Sequence, residues 1–254
     1  MMKNISLSLG AVSGFRASAA RRITAASLAS LASLAFGLAA TFAAVAPAQA
    51  ASVDSLVKAV KFDDDKGVAK DLGNGMDPNA TDDQGTPLLV IAAREKSDKV
   101  AALLLANPKT NIEAEDRAGE NALMLASLNG DLPLVKLLIS KDAEVNKKGW
   151  APLHYAATNG HDDVVQLLLD HSAYVDAGSP NGTTPLMMAA RGNHLSTVKI
   201  LLDNGADPNV KNQLGLTALD FAKHYNAPDV TKGLSARLAS QGSSGSAPTQ
   251  NGAK

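Results

Sequence analysis

Few residues of this chain have types and spacings that suggest chemistry. Histidine is the usual proton relay and metal ligand near neutral pH, and the five present are His154, His161, His171, His194 and His224. His171, His194 and His224 fall in different segments without metal-ligand spacing. Ser55-Leu56-Val57-Lys58 spells the S-x-x-K of an acyl-transfer nucleophile, but the apolar pattern of Leu56 and Ala59 assigns the segment to a packed helix. Asp77-Pro78-Asn79-Ala80-Thr81-Asp82 resembles a calcium loop up to its sixth position, where Asp82 stands in place of the required Gly. Asp63-Asp64-Asp65 reads as a solvated turn, with a divalent-ion role as the alternative. Asn181-Gly182-Thr183 matches a glycosylation sequon. With no cysteine anywhere, disulfides, thiolate metal sites, cysteine nucleophiles and lipidated cysteines are all excluded. No nucleophile with its base, phosphate loop or metal set emerges, so no catalytic residue, metal or cofactor is expected.

At 254 residues the chain accommodates one large domain or two small ones. Hydrophobic residues make up 45% and aromatics 4%, so Ala, Leu and Val must fill the core, which favours packed helices over a β-sandwich. Lys3, Arg16, Arg21 and Arg22 are the only charged residues among the first 53. They precede an apolar run from Ala25 to Ala46 and then Pro47-Ala48-Gln49-Ala50. This is the order of a cleavable signal peptide with an A-x-A site, predicting residues 1–50 as the leader and Ala51 as the mature start. Three alternatives are a retained membrane anchor, an organellar transit peptide and a twin-arginine signal at Arg21-Arg22. The order of segments predicts cleaved export into a bacterial periplasm, or secretion. The formal charge of −1 becomes −5 for residues 51–254. A mildly acidic chain is a poor nucleic-acid ligand, and without its leader no membrane contact is expected.

The mature chain repeats itself. Gly85, Gly119, Gly149, Gly182 and Gly215 stand 34, 30, 33 and 33 residues apart. Four residues on from each lies Leu89, Leu123, Leu153, Leu186 or Leu219, and seven on lies Ala92, Ala126, Ala156, Ala189 or Ala222. A worn earlier copy begins at Ser52, with Leu56 and Ala59 in register. Leu at the fourth position, an apolar residue at the sixth (Ile91, Leu125, Tyr155, Met188, Phe221) and Ala at the seventh share one helical face, expected to be buried. Thr184 can cap a helix start with Pro185 at its first turn. Gly130, Gly160, Asn193 and Asn226 at the eleventh position suit a left-handed helix end. Val164 to Leu169 then begins a second helix.

These residues resemble the ankyrin repeat over about 52–238. Thr184-Pro185-Leu186 and Ala151-Pro152-Leu153-His154-Tyr155-Ala156 match its T-P-L-H-x-A signature, and Gly160-His161 and Gly205-Ala206-Asp207-Pro208-Asn209 match its other fixed points. The resemblance implies an all-α solenoid of six helix-turn-helix units joined by hairpin loops, at about 52–84, 85–118, 119–148, 149–181, 182–214 and 215–238. It also implies that His154 bonds neighbouring loop backbone. Thr86-Pro87 arrives one residue early, predicting an irregular helix start, and the 30-residue spacing predicts a loop shortened by three near 145–149. Polar end units read as caps, and residues 239–254 as a disordered tail.

In the ankyrin family, loop tips and the inner ends of first helices line a concave groove that binds proteins. Transferred unit by unit, those positions are Asp83, Gln84, Thr86, Arg94 and Glu95; Arg117, Ala118, Glu120, Leu128 and Asn129; Lys147, Lys148, Trp150, Thr158 and Asn159; Pro180, Asn181, Thr183, Arg191 and Gly192; and Gln213, Leu214, Leu216, His224 and Tyr225. The reading is a monomeric, non-enzymatic scaffold for another protein. The resemblance extends to exported ankyrin proteins that support an enzyme such as a catalase. The contrasting reading is a stress enzyme or metal buffer whose site forms only in three dimensions. Trp150, the only tryptophan, is either an exposed anchor flanked by Lys147 and Lys148 or an indole folded over the shortened loop.

Overall fold

The computed structural model describes residues 53–244. The predicted leader and mature start lie outside them. Each repeat becomes two short helices: α1 (53–61) and α2 (Asp65–Gly73), α3 (Leu88–Glu95) and α4 (Asp98–Ala106), α5 (Ala122–Leu128) and α6 (Leu132–Ser140). α7 (Pro152–Asn159) and α8 (Asp162–Asp170), α9 (Pro185–Arg191) and α10 (Leu195–Asp203), and α11 (Ala218–His224) and α12 (Pro228–Ser244) follow. Among the described residues there is no strand, only an isolated bridge between Thr81 and Pro87.

Helices this short are unstable alone, so packing must hold them. First helices α3, α5, α7, α9 and α11 pack in sequence, and second helices from α2 to α12 form a parallel row against them. Ala92, Ala126, Ala156, Ala189 and Ala222 are all fully buried where the first row closes up. A larger side chain at such a fully buried contact would overpack it. Leu89, Leu123, Leu153 and Leu186 are buried as predicted, whereas Leu219 in the last unit is only half-buried.

The eleventh position is left-handed in all six units. Asp63 (φ 53°), Lys96 (58°), Gly130 (66°), Gly160 (72°), Asn193 (58°) and Asn226 (55°) each turn the chain from first to second helix. This geometry confirms the worn first unit. Asp63-Asp64-Asp65 is its turn: Asp63 adopts the left-handed conformation, the Asp64 carboxylate accepts from the Gly67 N–H at 2.9 Å, and Asp65 opens α2.

The loops follow a second rule. In most units the residue three before the repeat Gly closes a tight turn with its own side chain. Asp82 Oδ1 accepts from the Gln84 and Thr86 amides, Asp116 Oδ1 from Ala118 and Glu120, and Asn212 Oδ1 from Leu214 and Leu216. A residue six before the Gly stitches each loop to the next: Asn79 to Asn111, Glu113 to Glu144 and Asp176 to Asp207. Asn146 performs the stitching role, accepting from the Tyr174 amide and donating to the Ser172 carbonyl, although it lies only three residues before Gly149. The three missing residues therefore fall between Asn146 and Gly149, and what they remove is the tight turn. The interhelical segment is 141–151, against 171–184 and 204–217 in the following units.

The early Thr86-Pro87 does not displace the helix start: α3 begins three residues after Gly85, as α5, α7, α9 and α11 begin three after theirs, and Pro87 takes the cap position without a side-chain cap bond, as Ala151 does in α7. The C-terminal boundary differs from expectation. α12 runs on past Ala239 to Ser244, because buried Leu234 and the Arg237 contacts to Asp203 and the Leu202 carbonyl anchor a helix that each further residue extends by one bond. Residues 245–254 of the predicted tail lie outside the described residues.

Candidate functional site: a concave groove

Three of the five histidines hold the fold together. His154 is fully buried; its Nδ1 accepts from the Ala151 amide at 3.1 Å, leaving Nε2–H to donate to the Thr183 carbonyl at 3.0 Å. Burial holds its pKa below the ordinary value, so the ring is neutral. His161 and His194 point Nε2 at the Leu128 and Thr158 carbonyls, 2.9 and 3.1 Å away. Each thereby serves the end of the preceding unit's first helix, packed so closely that a Cβ on Gly130 or Gly160 would meet the ring at 2.4 Å. Among the described residues no three His, Asp or Glu side chains gather as a metal-ligand set.

What the fold does assemble is a groove along the inner ends of the first helices. Two adjoining hollows share Trp150 and Met188. The first, about 210 Å³, is lined by Leu128, Trp150, His154, Tyr155, Thr158 and Met188. The second, about 390 Å³, gathers Trp150, Asn181, Thr183, Met188, Arg191, Asn212, Leu214, Leu216, Phe221, His224 and Tyr225. Of the candidates predicted from sequence, Trp150, Asn181, Thr183, Arg191, Leu214, Leu216 and Tyr225 thus meet in one place. Arg94, Glu95, Arg117, Glu120, Lys147 and Lys148 lie outside both hollows.

Individual roles differ from the simple transfer. Arg94 donates to Asp116 at 2.7 Å, and Glu120 accepts from the Tyr155 hydroxyl at 2.9 Å. Lys147 does not flank Trp150 as a free cation: it is largely covered, bonding Glu115 and the Gly119 carbonyl. Thr183 is buried, its amide bound by Ser179 Oγ and its carbonyl by His154, so it supports the loop rather than presenting a side chain. Trp150 combines its two alternatives. Its indole packs edge-on against His154, with centroids 5.3 Å apart, and it remains 37% exposed.

The sixth repeat position is the main correction. Ile91, Leu125 and Met188 are buried as expected, but Tyr155 and Phe221 are half-buried and, with Met188, form the groove floor. A first-helix residue one step before the close-packed Ala lies at the edge of that contact, where a large side chain extends past it. The change from Ile91 and Leu125 to Tyr155, Met188 and Phe221 was the available signal. Burial and the bond to Glu120 raise the Tyr155 hydroxyl pKa, keeping it protonated as a donor.

Arg191 completes the geometry. Its guanidinium sits 4.9 Å from the Tyr225 ring centroid, and no carboxylate among the described residues pairs with it.

Comparison with known proteins agrees with the repeat. The family model described as Ankyrin repeats (3 copies) matches residues 56–148, 89–178, 124–212 and 153–241. The chain is 35% identical over 77 residues to the Notch-regulated ankyrin repeat-containing protein of Homo sapiens, covering 29% of this chain and 68% of that protein. It is 36% identical over 73 residues to protein A of the same description from Danio rerio, covering 28% of this chain and 65% of that protein. Ankyrin repeat and SAM domain-containing protein 6 of Rattus norvegicus is 34% identical over 123 residues, covering 44% of this chain but 14% of that protein. With one registered unit after another matched by sequence, helix pairing and left-handed turn, the chain belongs to the ankyrin-repeat family.

Proposed function

We propose that this chain is a non-enzymatic, monomeric scaffold that binds a partner protein in its concave groove, and that its leader exports it to a bacterial periplasm. The observation that carries the binding reading is the gathering of Trp150, Leu214 and Tyr225, three large apolar residues left 37%, 76% and 47% exposed, around one hollow. Side chains of this kind grouped in a concavity are characteristic of interface anchors rather than of a site for a small polar substrate. The partner class implied by the family resemblance is an exported or stress-defence enzyme. A comparison of capture from periplasmic extract by residues 51–254 and by their Trp150→Ala variant tests the reading. A partner retained by the first and lost by the folded variant supports it; equal capture by both removes the groove from the function. Fractionation with intact mass tests export, for which a periplasmic product starting at Ala51 is expected.

A further inference from the structure

The groove has a chemical bias that narrows its occupant. Its N-terminal stretch holds carboxylates already engaged within the fold: Asp116 with Arg94, Glu115 with Lys147, and Glu120 with the Tyr155 hydroxyl. The larger hollow has no carboxylate in its lining and includes the guanidinium of Arg191. Exposed Lys148 lies two residues before Trp150. A chain whose residues 51–254 carry −5 thus presents a locally cationic, apolar spot.

Arg191 is set for a carboxylate. Its guanidinium carbon lies over the Tyr225 ring, 4.9 Å from the centroid, a cation–π contact that uses the ring face and leaves the N–H donors available to an acceptor. Such a pre-ordered donor loses less entropy on pairing than a free lysine. Beside it, the Trp150–Met188 wall offers an apolar seat. Residues 1–52 hold four basic side chains and no acidic one, and residues 245–254 hold no acidic side chain.

We infer that the C-terminal half of the groove takes an acidic peptide segment of the partner, seating a bulky apolar side chain between Trp150 and Met188 and pairing a neighbouring carboxylate with Arg191. This rests on the groove-binding reading above and specifies the partner chemistry.

Titration of Trp150 fluorescence in residues 51–254 with four blocked peptides tests it. The first is acetyl-Gly-Ser-Glu-Asp-Phe-Leu-Glu-Asp-Ser-Gly-amide. The others replace its acids with Lys and Arg, replace its acids with Gln and Asn, or replace Phe-Leu with Ala-Ala. The acidic apolar peptide is expected to bind at least about tenfold more tightly than each of the others and to weaken as salt rises. Arg191→Gln should weaken that peptide at least about fivefold and leave the Gln/Asn peptide unchanged, while Glu95→Gln, outside the hollows, should change neither. Equal or tighter binding of the basic or neutral peptide overturns the acidic assignment but leaves groove binding standing. No response to any peptide also overturns this inference, whereas loss of the partner in the Trp150→Ala capture is what decides the broader reading.

Discussion

The two halves of the groove are built from the same repeat and end up chemically opposite. Toward the N-terminus Arg94 pairs with Asp116 and Lys147 with Glu115, and the sixth-position residues Ile91 and Leu125 are sealed in the core. Toward the C-terminus the same positions hold Met188 and Phe221 beside an unmatched Arg191, and large apolar surface stays uncovered. The join is Trp150, placed where the missing residues have removed a tight turn. A repeat scaffold can therefore vary its surface without touching its packing, because fold and groove draw on different positions of each unit.

Damage to the packing that both halves share should have the largest effect. Leu153→Ala removes a buried side chain in a central unit and should cost about 2 to 5 kcal/mol. The equivalent Leu219→Ala, at a half-buried site, should cost clearly less. Urea denaturation of both variants checks the difference, and equal losses would contradict position-dependent stacking. Ala156→Leu, overpacking a fully buried contact, should cost about 1 to 3 kcal/mol by the same measurement.

Smaller effects separate the halves themselves. Trp150→Ala should lose the edge-on contact with His154, worth about 0.5 to 1.5 kcal/mol, together with the area the indole buries, and should stay folded while losing partner capture. Acrylamide should quench the wild-type indole partially, consistent with 37% exposure. Arg94→Gln, breaking an ion pair whose Arg is well exposed, should cost less than about 1 kcal/mol and leave peptide binding intact. Lys96→Gly should raise the denaturation midpoint, since Lys96 occupies the left-handed turn that Gly adopts without a Cβ clash; the gain is about 0.5 to 1 kcal/mol.

The smallest expected effect is a pH dependence. Loss of solvent around its carboxyl, reinforced by neighbouring Asp131, raises the Asp98 pKa from 3.8 to about 6. The fold thus favours the protonated form. Its stabilising contribution is full below about pH 3.8 and is lost as pH rises through about 6. His154 runs oppositely: burial lowers its pKa, so its contribution is present above pH 6.5 and declines as pH falls toward the folded value. Asp98→Asn should flatten the first dependence and leave the second, as urea midpoints measured across pH 4 to 8 would reveal.

Sequence determined the architecture because each unit repeats its own constraints. Ala at the close contact, Leu beneath it and a left-handed residue eleven after the repeat Gly are local requirements, visible wherever spacing is kept. Even the deletion was countable, though the stitching bond of Asn146 was needed to locate it. The groove was less legible. Family positions brought Arg191, Leu214 and Tyr225 to the right face, but the pairing of Lys147 with Glu115 and the emergence of Tyr155 and Phe221 from the core depend on neighbours 32 or more residues away or on the neighbouring units. Repeat spacing identifies which side chains point inward. Only the stacked structure decides which of them are satisfied by the next unit and which are left facing a partner.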